Sequence, residues 1–185
     1  MVRSYNVTYG MDTVISRGSN TYGPYQYPEK LIPLFITEAL EDNDLPVYGD
    51  GLQVRDWLHV EDHCRGITLV LDGGTPGEMY NIGGGAELPN LHVIDTICSA
   101  VDEAFVQRPG LARAYPNSPS ANNRSCAELK TFVNDRAGHD RRYAIDYSKI
   151  ESQLGYRAQH SFAQGFSATL DWYLNQESWW RALLK

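Results

Sequence analysis

Apolar and polar positions along this chain alternate between two periods, and the switches mark the elements. Residues 1–9 read as the end of a helix that Gly10 stops, and 12–17 as a short strand. Pro28 and Pro33 flank the start of a helix running to about Glu41, because proline is tolerated in a first helical turn. Leu34, Phe35, Ala39 and Leu40 give that helix a buried stripe. Residues 47–51 read as a turn and 53–60 as a strand. A helix over 61–71 carries two acids in its first turn, as the helix dipole favours. Residues 79–82 form a short strand. Asn90 is read as the cap of a helix with Leu91, Ile94, Ile97, Cys98 and Val101 at helical spacing. Short strands follow at 131–133 and 142–145, then a helix of one to two turns from Ser148 to the stop at Gly155. The last helix opens on Ser161-Phe162-Ala163-Gln164, a capping-box pattern. Phe162, Phe166, Leu170, Tyr173 and Leu174 continue it as a stripe. Strands and helices alternate, so the class is α/β.

One stretch, 107–123, lacks a period. Pro109, Gly110, Pro116, Pro119 and the run Asn117–Asn123 favour turns, and the expectation is a surface insertion. The 185 residues are 42% apolar, enough for one domain, or a domain plus an extension, with a real core. Lys plus Arg total 16 against 23 acids, a net charge of −7, which argues against a nucleic-acid binder. A few arginines can still serve one anionic pocket. No apolar run approaches the ~20 residues of a membrane span, and the first residues lack the apolar core of a signal peptide. Cys64, Cys98 and Cys126 form neither a disulfide framework nor a zinc pattern. Reduced thiols in a cytoplasmic protein, with no metal site, are expected.

Three clusters carry candidate chemistry. Asn20-Thr21-Tyr22-Gly23-Pro24, followed by Pro28-Glu29-Lys30-Leu31, leads from a strand into a helix, where Lys30 and a helix N-terminus suit an anion. The same residues also make an ordinary turn with a solvated lysine. Pro46 to Gly51, with Arg55-Asp56-Trp57 after it, offers a tyrosine ring for a flat base and an arginine for phosphate. It reads equally as a hairpin in which Arg55 pairs with Asp56 or another surface acid. Asp135 to Tyr143 places Arg136, His139, Arg141 and Arg142 together in an acidic chain. Gly138 allows a turn that presents Arg136 and His139 to one anion. The alternative is a charged loop balanced by Asp135 and Asp140. With no nucleophile near it in sequence, His139 is read as a binding residue.

Together these strings resemble the C-terminal half of the dTDP-glucose 4,6-dehydratases, in the extended short-chain dehydrogenase/reductase family. The resemblance takes in Ser19–Pro33, Leu45–Gly51, Arg55–His63, Gly77–Gly84, Asn90-Leu91, Gly138–Asp146 and the closing Trp172-Tyr173 and Trp179-Trp180. It implies the last strands of a Rossmann sheet plus a small mixed α/β substrate-binding domain, with 1–25 a remnant of the Rossmann part and 107–123 a loop insertion. It implies that Asn20, Glu29, Lys30 and Leu31 lie near the sugar and diphosphate of a dTDP-sugar. Pro46 and Tyr48 would face the base, and Arg55, Asn90, Arg136 and His139 would hold phosphate or ribose. Two departures stand out. Thr21 replaces a second Asn near the nicotinamide, and 107–123 is longer than usual.

The family reaction oxidises the sugar C4 hydroxyl with NAD, eliminates water across C5 and C6, and returns the hydride to C6. It uses a glycine-rich turn, a Tyr-x-x-x-Lys pair, an Asp and a Glu, which the family carries in its N-terminal half. This chain has no Gly-x-x-Gly-x-x-Gly and no Tyr-x-x-x-Lys. Gln26, Cys126, Ile145 and Arg181 stand four residues before its lysines. The expectation is a nucleotide-sugar-binding portion that begins just after the Tyr/Lys helix. It would hold no catalytic residue and no tight NAD, and would be inactive without the missing NAD-binding half. A free-standing binding protein, or the same portion of a related sugar epimerase or decarboxylase, is the alternative. The Gly138–Tyr143 string disfavours the epimerase or decarboxylase.

Overall fold

A computed structural model describes residues 1–184. In chain order the elements are α1 (Val2–Tyr9), β1 (Ile15–Gly18), β2 (Asn20–Tyr22), α2 (Leu31–Leu40), β3 (Leu45–Tyr48), β4 (Val54–His59), α3 (Val60–Gly73), β5 (Met79–Ile82) and β6 (Glu87–Pro89). There follow α4 (Asn90–Gln107), α5 (Leu111–Ala114), β7 (Lys130–Val133), β8 (Arg142–Tyr143), α6 (Ser148–Leu154), α7 (Phe162–Asn175) and α8 (Glu177–Leu183). Two 3-10 turns, Pro119–Asn122 and Cys126–Leu129, precede β7.

The chain folds into two compact units, and each draws on three separate stretches. The first unit comprises Met1–Gly23, Arg55–Glu87 and Tyr143–Gly165. Here β1 pairs in parallel with β5, Ile15 opposite Met79, and β2 in parallel with β4, Asn20 opposite Trp57. Leu58, Val70, Tyr80, Ile82, Ile150 and Tyr156 form its core. Full burial of each such side chain is worth about 1.5–3 kcal/mol. Gly10, left-handed at φ 63°, closes α1, and Gly155 at φ 67° closes α6, as the sequence indicates. The Ser161/Gln164 box is formed: the Gln164 N–H donates to Ser161 Oγ at 3.3 Å, and the Ser161 N–H donates to Gln164 Oε1 at 3.2 Å.

The second unit comprises Pro24–Val54, Leu88–Arg142 and Phe166–Lys185. Strand β3 runs parallel to β7, with Tyr48 opposite Val133. Helix α2 packs on α4. Ile32, Phe35, Ile36 and Leu40 of α2 meet a core that also holds Ile97, Cys98 and Val101 of α4, with Tyr173 and Trp180 buried as well. Two readings are refined here. The segment 107–123 lies mostly at the surface, but Tyr115, Ser118 and Pro119 within it are buried. The Tyr115 hydroxyl donates to the Leu174 carbonyl and the Ser118 hydroxyl to that of Ala39, so short polar and proline residues serve as anchors there. Leu34 does not join the buried stripe of α2. Ile32 and Ile36 do, and Leu34 is half-buried.

Strands β2 and β6 and helix α8 carry too few periodic residues to stand out in sequence. Residues 45–48, whose end resembles a turn in sequence, are strand β3. Asn90 is the first residue of α4, not its cap. Pro89 holds the cap position and makes no side-chain bond.

Candidate functional site

Both strands of the β3–β7 pair end at one edge of the second unit, and a loop leaves each end. Loops at the C-terminal edge of parallel strands are where α/β folds build ligand sites. The β3 loop turns at Gly49, left-handed at φ 60°, and the Gly49 N–H donates to the Val133 carbonyl at 2.9 Å. A Cβ on Gly49 would stand 3.0 Å from Asp135 Oδ2, so conformation and close approach both call for glycine. The β7 loop turns between Arg136 and His139, with Gly138 at φ 70° and the His139 N–H donating to the Arg136 carbonyl at 3.1 Å.

Beside these loops lies a pocket of about 310 Å³, lined entirely by residues of the second unit. Glu29, Lys30 and Leu31 border it at the start of α2, Pro46 and Tyr48 on β3, Asn90 at the start of α4, and Arg136 and His139 on the β7 loop. Leu34, Phe35, Val47, Gly51 and Ile94 complete the wall. Two helix N-termini therefore meet at one hollow, with their partial positive charge. Lys30 adds a full charge and forms an exposed ion pair with Glu29 at 2.7 Å. At α4 the first N–H groups are already used: Asn90 N–H donates to the Gln53 carbonyl and Leu91 N–H to that of Gly51. The buried Asn90 Oδ1 makes no hydrogen bond within the protein.

A hydrogen-bonded series fixes the arginine of this site. Asp135 Oδ2 accepts from Gln53 Nε2 at 2.8 Å, and its Oδ1 accepts from the Arg136 N–H at 2.8 Å. His139 Nδ1 lies 2.6 Å from Asp135 Oδ1, and Arg136 Nη2 lies 2.8 Å from His139 Nε2. A guanidinium only donates, so Nε2 is the acceptor and Nδ1 carries the proton that Asp135 accepts. The hydrogen bond from His139 is the largest cause holding the Asp135 carboxyl below the usual range. The Arg136 guanidinium sits 5.2 Å from the centre of the Tyr48 ring.

Eight of the ten residues expected at the site border this pocket. Asn20 and Arg55 do not: they lie on β2 and β4, in the first unit. The chain passes between units after Gly23 and again after Val54. Asp56 is buried and accepts the N–H groups of Gly84 and Ala86 at 3.1 and 3.0 Å. Both ring nitrogens of His139 are engaged, which makes it a support for Arg136. Arg141 pairs with Asp50 at 2.7 Å. Thr21 Oγ1 stands 2.8 Å from His63 Nδ1 in the first unit. Sequence reasoning misses Leu34 and Ile94 as pocket residues, yet each lies one helical turn beyond an expected residue, Lys30 and Asn90. It has no signal for Gln53.

Residues 1–169 match the sequence model of the GDP-mannose 4,6 dehydratase family. The chain belongs to that family. Among curated relatives it is 45% identical over 184 residues to a dTDP-glucose 4,6-dehydratase of Escherichia coli, covering 100% of this chain and 48% of that protein. It is 48% identical over 176 residues to a probable dTDP-glucose 4,6-dehydratase of Sinorhizobium fredii, covering 95% of this chain and 46% of that one. The chain thus spans about half the length of the curated relatives it matches, their C-terminal half. Among solved structures it resembles DesIV, the dTDP-glucose 4,6-dehydratase of Streptomyces venezuelae solved with NAD and TYD bound. The TM-score is 0.84 at 45% identity, over 98% of this chain and 50% of that one. A UDP-glucuronic acid 4-epimerase of Bacillus cereus is more distant, with a TM-score of 0.73 at 27% identity over 95% of this chain and 49% of that one. This family member is therefore an extended short-chain dehydrogenase/reductase in fold and aligns with a portion of the dehydratases. Among the described residues no helix is long and apolar enough to cross a membrane.

Proposed function

We propose that these residues form the nucleotide-sugar-binding portion of a dTDP-glucose 4,6-dehydratase, and that the second-unit pocket grips the dTDP moiety. The observation that carries the reading is the meeting of two helix N-termini, Lys30 and a pre-oriented Arg136 beside the Tyr48 ring. A diphosphate needs concentrated positive charge and fixed donors, and a base needs a flat face. Arg136 spends one of its five N–H donors on His139, so it keeps others for phosphate oxygens. Asn90, with its carbonyl oxygen unpaired, suits a donor from the ribose or base.

The full dehydratase would convert dTDP-glucose to dTDP-4-keto-6-deoxy-glucose and water with NAD, in a compartment that keeps thiols reduced. Residues 1–184 do not fit a dinucleotide cradle of their own, because no strand among them feeds a helix through a glycine-rich turn. The hydride chemistry is assigned outside these 185 positions, and the part left to this chain is to hold and orient the nucleotide.

Calorimetric titration of the chain with dTDP tests the reading. Saturable binding is expected, weaker by roughly 10-fold or more in R136M, since a hydrogen bond to a charged group is worth about 1.5–3 kcal/mol. No binding of dTDP, or tight binding of NAD in its place, would overturn it. No 4-keto sugar should form from dTDP-glucose and NAD with this chain alone.

A further inference from the structure

A cluster in the first unit lies outside this pocket. His59 ends β4, Glu61 sits in the first turn of α3, and His160 precedes α7 by two residues. One ligand atom from each lies within 4.8 Å of the others. Glu61 Oε2 and His160 Nε2 are 3.3 Å apart. Two ligands about 2.0–2.1 Å from one tetrahedral metal stand at about that spacing.

His59 supplies an independent observation. Its side chain is 4% exposed, and neither ring nitrogen has a hydrogen-bond partner in the protein. A buried imidazole with both nitrogens unpaired is costly and uncommon. The ring is held in place: the Tyr22 ring meets it edge-on at 5.6 Å, and a Cβ on Gly165 would come 2.9 Å from its Cδ2.

His160 is braced from behind. Its Nδ1 lies 3.2 Å from Asp62 Oδ2. Asp62 is fully buried and accepts the N–H groups of Gln159 and His160 and a bond from Arg65. His160 Nδ1 is within ion-pair reach of that carboxylate but makes no hydrogen bond, and the other ring nitrogen faces Glu61.

We propose that His59, Glu61 and His160 bind a divalent transition metal, with Zn²⁺ the best fit to two imidazoles and one carboxylate. The fourth position is left to water, and exposed Glu61 has the freedom to close the remaining gap. The metal ties the turn before α7 to the start of α3. No spacing of cysteines announces it, because no thiol takes part.

The test uses the full chain, stripped with a chelator and titrated with Zn²⁺ against a chromophoric competitor, and separately with Co²⁺. Expected results are one equivalent bound, d–d absorption of tetrahedral strength with Co²⁺, and a Zn²⁺-dependent rise in the thermal midpoint. E61Q, at an exposed position that leaves folding intact, should weaken Zn²⁺ binding at least 10-fold, as should H160Q. H59F, which keeps a ring in the buried slot, should abolish the midpoint shift. No one-to-one binding in the micromolar range would overturn the proposal. So would equal affinity in E61Q, H160Q and the parent, which would leave Glu61 and His160 a plain ion pair. A thiolate-to-cobalt charge-transfer band would place the metal on exposed Cys64 and refute the site.

Discussion

Arg136 is aimed by His139: the guanidinium donates to Nε2 at 2.8 Å while Asp135 holds the opposite nitrogen at 2.6 Å. The arginine expected to meet the diphosphate is therefore set in place before any ligand arrives, and the ordering cost falls on folding instead of binding.

Breaking this support should weaken binding without unfolding the chain. H139A or D135A leaves Arg136 present but free to rotate, and dTDP affinity should fall by about 5- to 30-fold, on the order of 1–2 kcal/mol. Stability in a urea melt should fall by about 1–3 kcal/mol at most in D135A, which leaves the buried Gln53 amide without its acceptor, so binding is measured well below the melt. Unchanged dTDP affinity in both variants would separate this series from binding.

Gly49 is confined by its φ of 60° and by Asp135 Oδ2, 3.0 Å from where a Cβ would sit. G49A should destabilise the second unit by about 1–2 kcal/mol. It should also lower dTDP affinity, since the neighbour that must shift is the residue holding His139. A denaturant melt and a calorimetric titration on the same variant measure both effects.

Asp102 ties α4 to the segment that follows α5. Its oxygens accept from Ser120 Oγ at 2.6 Å, Ser125 Oγ at 2.7 Å and the Cys126 N–H at 3.0 Å. Burial works to raise its pKa, but the Ser120 hydroxyl, the Cys126 N–H and the Ser125 hydroxyl outweigh it, and the net shift is downward. A carboxyl lowered on folding gives stability that is fully present above its unfolded value of about 3.9 and is lost as pH falls through the lower folded value. D102A should cost about 2–4 kcal/mol at neutral pH. Its stability should then fall less steeply than the parent's as the medium is acidified below about pH 4. Parallel acid profiles for the two proteins would refute the assignment.

The three thiols should separate by reactivity. Cys64 is exposed, whereas burial pushes the Cys98 thiol up to about 11 and the Cys126 thiol up to about 12. A disulfide reagent at about pH 8 should modify one thiol in the native chain and all three after unfolding. Rapid modification of two or three native thiols would contradict the packing around α4.

What is legible in the sequence is local. The α4 stripe, the stops at Gly10 and Gly155 and the Ser161/Gln164 box depend on neighbours within one helical turn, and all are present. The grouping of Lys30, Tyr48, Asn90 and Arg136 is legible only through family strings, because residues so far apart share no local pattern. Asn20 and Arg55, near in sequence to pocket residues, belong to the other unit, which no local pattern announces. Segment 107–123 looks loose because its anchors are single side chains, Tyr115 and Ser118, bonded to distant carbonyls. Short strands such as β2 and β6 owe their existence to partners elsewhere in the chain, which no window of sequence contains.

The interleaving of the two units constrains how the polypeptide can mature. All the lining of the second-unit pocket has been synthesised by His139, but Tyr173 and Trp180, buried in the same unit, are made only afterwards. The first unit has all its residues by Gly165, whereas the second still awaits those from Phe166 onward, so a nascent chain must shield the second unit's apolar surface until they are made. A stop codon after Gly165 would spare every residue lining that pocket and still yield a product destined for aggregation or proteolysis.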